Sequence, residues 1–300
     1  METKTKSGFV SIIGRPNVGK STLMNKIIGQ KIAITSSKPQ TTRTRISTVY
    51  TKGNVQMVFT DTPGLHKAKN KLGESMVSSA KRTFNESDVC LYLTEADPFI
   101  GEQDENILSL LRTVGIPVIL VITKTDKVEK EKVFKAIELF SKQMDFADVV
   151  PLSAKNGKNV DTLLEVLEKY IPEGPFYYDP ETLTDQPERQ IVSEIIREKC
   201  LRCLGDEIPH GIAVVIDSMN FTKANVEIEA SIICERDTHK GMIIGKGASK
   251  IKEIGTKARV DIEKLLDKKA NLKLFVKTKE NWRDSEYLLK NFGFLEDKNE

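Results

Sequence analysis

The sequence predicts an α/β chain in two parts, a mostly parallel sheet flanked by helices and then a smaller α+β domain. Three observations carry this. Apolar runs alternate with amphipathic stretches from Phe9 to Ile171. A segment with three prolines and a glycine, Ile171-Pro-Glu-Gly-Pro-Phe-Tyr-Tyr-Asp-Pro180, then breaks the pattern. Beyond it the order of elements changes. Strands alternating with helices place a parallel sheet between helical layers, and Pro/Gly clusters mark linkers. The boundaries read as 1–172 for the first domain, 173–187 for the linker and 188–300 for the second domain.

In the first domain the strand-like runs are Phe9–Ile13, Val55–Thr60, Val89–Leu93, Pro117–Ile122 and Val149–Leu152. Helix-like stretches lie at Lys20–Ile28, Glu102–Val114, Glu129–Met144 and Val160–Tyr170. The stretch Lys31–Asn54 reads as less regular. In the second domain a helix (Glu188 to Leu204) leads to strands Ile212–Asp217 and Asn225–Cys234. A Gly-rich turn, a long helix (Ser249–Leu266), a strand (Asn271–Thr278) and a short helix (Asp284–Asn291) follow.

Composition excludes several classes. The longest apolar run, Ile116 to Ile122, contains Pro117 and falls far short of the ~20 residues that span a bilayer. The charged start, Met1 to Ser7, lacks a signal-peptide core. Four cysteines in 300 residues make no disulfide framework, so a reduced, cytoplasmic protein is expected. The net charge is only +3, but its distribution is uneven. Val160 to His210 holds 12 acidic and 5 basic residues, and Glu235 to Arg283 holds 14 basic and 7 acidic. That asymmetry points to an anionic partner for the second domain.

Gly14-Arg-Pro-Asn-Val-Gly-Lys-Ser21 matches G-x-x-x-x-G-K-S/T between a strand and a helix. Its glycines let the backbone curl so that N–H groups point inward, and the helix N-terminus adds positive charge. Gly14, Arg15, Pro16, Asn17, Val18, Gly19, Lys20, Ser21 and Thr22 are therefore phosphate-binding candidates. Lys20 would reach the β- and γ-phosphates and Ser21 would be a Mg2+ ligand. Val58-Phe-Thr-Asp-Thr-Pro-Gly64 ends a strand in D-x-x-G. Asp61 would hold a Mg2+-bound water and the Gly64 N–H would sense the γ-phosphate, with Thr62, Pro63 and Leu65 in the same loop.

Thr123-Lys-Thr-Asp126 closes the next apolar strand. A carboxylate at Asp126 accepts from the ring N–H and exocyclic amine of guanine, which adenine cannot offer. The Lys124 stem would lie over the base and Thr125 completes the loop. Ser153-Ala-Lys155 would bring a backbone N–H to the guanine oxygen through Ser153, Ala154 and Lys155. Each loop follows a strand, the edge where open α/β sheets bind ligands.

These loops resemble the first, third, fourth and fifth motifs of translation-factor-like GTPases. The resemblance implies GTP or GDP with Mg2+. The second motif fits Lys38-Pro-Gln-Thr-Thr-Arg43, with Thr42 the Mg2+ ligand and Thr41 the alternative. Lys20, Thr42 and Gly64 are the catalytic candidates. Leu65 stands where many small GTPases have the water-orienting glutamine, so slow intrinsic hydrolysis is expected. Arg43 and Arg45 are candidate fingers in cis. Asn17 resembles the K+-coordinating asparagine of related GTPases, which adds K+ as a cofactor. Thr123 departs from the asparagine usual at that position.

Gly241-Met-Ile-Ile-Gly-Lys-Gly-Ala-Ser-Lys-Ile-Lys252 resembles the I-G-x-x-G segment of a KH domain, which clamps about four single-stranded nucleotides. Ile244, Gly245, Lys246, Gly247, Ala248, Lys250 and Lys252 are the RNA-binding candidates. Ala248 occupies the place of the second glycine. The order helix, strand, strand, helix, strand resembles the type II KH arrangement. The remaining notable residues read as structural. Cys200 and Cys203 are expected as buried thiols, Cys90 and Cys234 as core. Trp282 should pack beside the last helix, and Phe176-Tyr-Tyr178 should dock the linker onto a domain.

A P-loop GTPase domain joined to a smaller α+β type II KH-like domain resembles the Era GTPases of bacterial ribosome assembly, over about Phe9 to Leu295. The resemblance implies binding to the 3′ end region of small-subunit ribosomal RNA and assistance in small-subunit assembly. It also implies peripheral association with the inner face of the cell membrane; a monomer is expected. A related GTPase acting on another RNA, or in tRNA modification, is the alternative.

Overall fold

The computed structural model describes residues 4–34, 46–61, 71–74, 83–84, 86–97, 99–205 and 211–295. Two compact units divide the chain, the main boundary falling between Asp185 and Gln186, with Ile34 and residues 71–74 grouped with the second unit.

The first unit contains β1 (Lys6–Gly14), α1 (Lys20–Ile28), β2 (Ile46–Lys52), β3 (Val55–Asp61), β4 (Val89–Glu95), α2 (Glu102–Leu111), β5 (Val118–Thr123), α3 (Lys130–Ser141), β6 (Asp148–Pro151) and α4 (Val160–Glu168). Its sheet runs β2-β3-β1-β4-β5-β6. All neighbours pair in parallel except β2 with β3. Every residue of β3 and β5 is buried. Helices on both faces favour apolar strands; β5 reads as an apolar run up to Thr123, whereas β3 also buries Gln56, Thr60 and Asp61. On one face Ile13, Tyr92, Leu120 and Ile122 pack with Ile107 and Leu111 of α2 and Phe140 of α3.

Part of the stretch 31–54, expected as less regular, is a strand. The last third forms β2, joined to β3 by the two-residue turn Gly53-Asn54, with Gly53 at φ 59°. A short turn of this kind, with φ > 0 supplied by glycine, is the ordinary hairpin signal.

Most of the 173–187 segment, expected as a linker, packs on the first unit as a strap. Gln56, fully buried in β3, accepts from the backbone N–H of Tyr177 (2.9 Å) and Tyr178 (3.0 Å). Its amide donates to the Tyr178 carbonyl (2.9 Å) and the Thr51 hydroxyl (3.1 Å). Further along, Val49 N–H donates to the Leu183 carbonyl and the Thr184 hydroxyl to the Ser47 carbonyl. The Tyr177 ring lies 4.7 Å from Phe9, centroid to centroid.

The second unit contains α5 (Glu188–Cys203), β7 (Ala213–Phe221), β8 (Asn225–Cys234), α6 (Asp237–Ile244), α7 (Ser249–Leu266), β9 (Lys269–Thr278) and α8 (Glu286–Asn291). The sheet order is β7-β8-β9, antiparallel then parallel. α5 and α7 pack together and bury Ile195, Ile196, Ile254, Ala258 and Ile262. α5 also buries charge in pairs. Arg197 bonds Glu194 at 2.6 and 2.8 Å, Glu198 meets Arg202 at 2.6 Å, and Lys199 reaches Asp261 of α7. Pairing is what makes such burial tolerable.

α6 lies where the sequence reads as a Gly-rich turn. Trp282 is fully buried, donates to the Gly211 carbonyl (3.0 Å) and packs on Phe292 and Phe294, each 5.7 Å away. Cys90, Cys200 and Cys234 are buried as expected. Cys203 is a correction. It is half-buried, because it sits at the last turn of α5 with the Lys257 ammonium 3.8 Å from its sulfur.

Candidate functional site

The loop after β1 owes its shape to two glycines. A Cβ at Gly14 would lie 2.3 Å from the Leu93 carbonyl oxygen, so only glycine lets β1 pass β4 so closely. Gly19 adopts φ 111° and launches α1. Asn17 is also left-handed, at φ 64°, which asparagine tolerates better than most residues. The curl buries the Lys20 ammonium, which donates to the carbonyls of Gly14 (2.9 Å) and Arg15 (3.1 Å). Burial lowers the Lys20 pKa, opposed by the nearby Asp61 carboxylate. Val18 is buried, Arg15 and Pro16 are half-buried, and Asn17 and Thr22 are exposed.

Asp61 ends β3 beside β1 and is fully buried. Its Oδ2 accepts from the Ser21 hydroxyl at 3.0 Å. A hydroxyl and a carboxylate held together at a helix N-terminus are hard oxygen donors that suit Mg2+. Thr41, Thr42, Arg43, Arg45, Thr62, Pro63, Gly64 and Leu65 lie outside the described residues.

The ends of β5 and β6 bring the next two loops together. The buried Thr123 hydroxyl bonds the Val18 carbonyl (2.7 Å) and the Thr94 carbonyl (3.1 Å). The threonine therefore braces this loop against the first one, the task expected of asparagine. Lys124 takes a left-handed backbone (φ 55°) and its ammonium pairs with Glu95 at 2.5 Å. Thr125 N–H donates to the Leu152 carbonyl. Asp126 is exposed and accepts from the Ser153 hydroxyl at 2.6 Å. That bond holds the Asp126 carboxyl below its ordinary pKa. Ala154 is buried and Lys155 exposed. The arrangement offers a positive, N–H-lined loop at one end and a fixed carboxylate at the other.

Sequence reading missed the residues that support these loops. Glu95, Asp97 and Asp104 sit on or after β4 and reach Lys124 or Arg15 through space, so no local pattern announces them.

In the second unit, α6 ends at Gly245 (φ 72°) and α7 begins at Ser249. Between them Gly247 and Ala248 are both left-handed, at φ 58° and φ 61°. Lys246, Gly247, Lys250 and Lys252 are exposed, while Ile244, Gly245 and Ala248 are half-buried. Lys250 pairs with Glu253 at 3.0 Å, and Lys257 pairs with it at 2.7 Å. These bonds, Lys257 first, hold the Glu253 carboxyl down at about 2. Lys246 and Lys252 make no ion pair with another described residue.

Ala248 thus keeps the loop geometry that glycine would supply, at a conformational cost of about 1–2 kcal/mol. Ala248→Gly is expected to stabilise the second unit by about 0.5–1 kcal/mol, the relief being partly offset by a freer unfolded chain. Urea denaturation followed by circular dichroism checks this, and an unchanged or lower midpoint would refute it.

Comparison with known proteins matches this geometry. A family model described as 50S ribosome-binding GTPase matches residues 9–124, and a KH domain model matches residues 207–283. GTPase Era of Clostridium novyi is 53% identical over 292 residues, covering 97% of this chain and 99% of the relative. The chain belongs to the Era family of GTPases. Era of Clostridioides difficile is 52% identical over 96% of this chain and 98% of its own. Two solved Era structures superpose with TM-scores of 0.93 at 37% identity, covering 97% of this chain and 100% of theirs. One is a variant of Aquifex aeolicus Era bound to GDP·AlF4−. The other is Era in complex with MgGDPNP and nucleotides 1506–1542 of 16S ribosomal RNA. As a member of the Era family the chain is a GTP-hydrolysing enzyme with a six-stranded, mostly parallel GTPase sheet and a C-terminal KH domain.

Proposed function

We propose that this chain binds Mg2+·GTP at the strand ends of its first unit and the 3′ end region of small-subunit ribosomal RNA at the α6–α7 loop of its second. In that capacity it assists assembly of the small ribosomal subunit. The observation that carries this reading is the convergence of Lys20, the Ser21–Asp61 pair and the Asp126–Ser153 pair on loops at one edge of one sheet.

Each residue has a physical task. The Lys20 ammonium exchanges two neutral carbonyls for the β- and γ-phosphates, and the burial that depresses its pKa strengthens that charged bond. Mg2+, when bound, neutralises charge on the phosphate oxygens. Ser21 and Thr42 are its hydroxyl ligands and Asp61 holds it through water. The Gly64 N–H reads the γ-phosphate. Asp126 accepts the two guanine donors, and the Ser153 hydroxyl keeps it ionised and aimed.

Leu65 cannot orient the attacking water, so intrinsic hydrolysis is slow. Asn17 would help hold a K+ ion whose charge would serve in place of an arginine finger, and turnover is expected to rise when K+ replaces Na+. Equal turnover in the two salts would remove K+ from the mechanism.

Lys246, Lys250 and Lys252 contact RNA phosphates, while the small residues 245, 247 and 248 admit the RNA backbone. The chain works as a cytoplasmic monomer with peripheral access to the inner face of the cell membrane. No described helix is long and apolar enough to cross a membrane.

The test is binding of a short single-stranded RNA matching the 3′ end of small-subunit ribosomal RNA. It is run with GDP and with a non-hydrolysable GTP analogue, at two salt concentrations. Tighter, salt-sensitive binding in the GTP state is expected. Equal binding in both states would remove the switch. No binding in either would redirect the search to another RNA, such as a tRNA.

A further inference from the structure

Asp104 is fully buried at the start of α2, outside the sequence motifs assigned above. A buried carboxylate must be compensated by donors or an opposite charge. Three elements supply the compensation. The Tyr92 hydroxyl of β4 donates to Oδ1 at 2.9 Å. The Gly101 N–H, just before α2, points at Oδ2 at 3.4 Å. The Arg15 guanidinium of the phosphate loop places Nε 3.2 Å from Oδ1. Arg15 Nη2 lies a further 3.6 Å from the more exposed Asp97. Tyr92 is itself fixed, with its ring against Phe140 and Phe146.

The far side of Arg15 faces the reaction. Its carbonyl accepts from the Lys20 ammonium at 3.1 Å and from the Val18 N–H at 3.4 Å. One residue therefore joins a buried carboxylate, through its side chain, to the lysine that meets phosphate, through its main chain.

We propose that Asp104 is a positioning residue for nucleotide binding, acting through Arg15 to hold the phosphate loop in the shape that aims Lys20. The core fixes Asp104, Asp104 fixes the Arg15 side chain, and Arg15 fixes the carbonyl against which Lys20 is set. This assignment rests on the reading that the loop from Gly14 to Ser21 holds the nucleotide phosphates. It also gives the Arg15 charge a structural partner, so this arginine is not the finger that hydrolysis lacks.

The test is a cycle of GDP affinities for the full chain, comparing wild type with D104N, R15A and the double variant R15A/D104N. Displacing a phosphate-binding group by a fraction of an ångström is expected to lower GDP affinity about tenfold in D104N and in R15A. The double variant should lose no more than R15A alone, because Asp104 acts through Arg15. Losses that multiply, or a folded D104N with wild-type affinity, would overturn the proposal.

Leu108→Ala removes a buried side chain from α2 without touching Arg15. It should lower the melting temperature yet leave GDP affinity within twofold, and an equal tenfold loss there would assign the effect to α2 stability and overturn the proposal. If D104N does not fold, R15K decides, since lysine keeps the charge but cannot reproduce the Nε–H geometry. Wild-type affinity in R15K would then overturn it, and a severalfold loss would support it. Failure of the wild-type chain to bind GDP at all would overturn the phosphate-loop reading as well.

Discussion

Asp126→Asn is expected to lower GTP affinity by about 10²–10⁴-fold, with the fold retained. In the proposed site the carboxylate would accept two charge-assisted bonds from guanine, each worth about 1.5–3 kcal/mol. Asparagine keeps one acceptor and turns a second acceptor into a donor facing another donor. Asp126 is exposed and contributes to no core, so melting should barely move. Binding of a nucleotide whose ring offers a carbonyl in place of the exocyclic amine should improve in the same variant. Unchanged GTP affinity would exclude Asp126 from base recognition.

The pH dependence has a definite sign. A carboxyl held below its ordinary pKa stays charged as the pH falls through the usual carboxylate range. Guanine recognition should therefore persist through the usual carboxylate range and be lost only below it, as Asp126 protonates. Ser153→Ala should move that loss to higher pH, because the hydroxyl is the main cause of the depression.

Gln56→Leu should destabilise the first unit by about 3–5 kcal/mol. Leucine fills a similar volume but abandons four hydrogen bonds, three of them to the backbone of Tyr177 and Tyr178. An unmet buried polar group costs about 1–3 kcal/mol, and peeling of the strap toward water limits the total. Thermal unfolding measures the loss, and limited proteolysis should show new cleavage between residues 173 and 185. A variant that melts within a degree of wild type and resists cleavage there would show that the strap is held by other contacts.

What the sequence made legible follows from physical differences between elements. β3, β4 and β5 are almost wholly buried, so each is mostly apolar and stands out in the sequence, Gln56 being the polar exception inside β3. β2 pairs with β3 on one side, and its alternating Ser, Thr and Tyr blended into the polar stretch before it. α6 holds Asp237, His239, Lys240 and Gly241, which gave no apolar stripe to read.

The loops proposed to hold the nucleotide stand out in the sequence because phosphate and guanine demand particular residues at fixed spacing. Structure put Lys20, Ser21 and Asp61 in one cluster and Asp126 beside Ser153. Thr123, which departs from the usual asparagine, still makes two bonds that hold its loop. Its hydroxyl reaches Val18 because β5 and the first loop lie close enough for a short side chain. Gln56 could not announce the strap, since its partners there lie 121 and 122 positions away. A glutamine in an apolar strand declares that something polar must meet it, without saying what.

Trp282 is the only tryptophan in the chain, and it lies fully buried against Phe292 and Phe294 in the second unit. The indole emission of the whole protein therefore belongs to one unit, while the first holds tyrosines and phenylalanines but no tryptophan. Exposure to water should shift that emission to the red only when the second unit opens. A denaturant titration watched by indole fluorescence, beside one watched by release of bound GDP, should separate two unfolding events that a single melting temperature would merge.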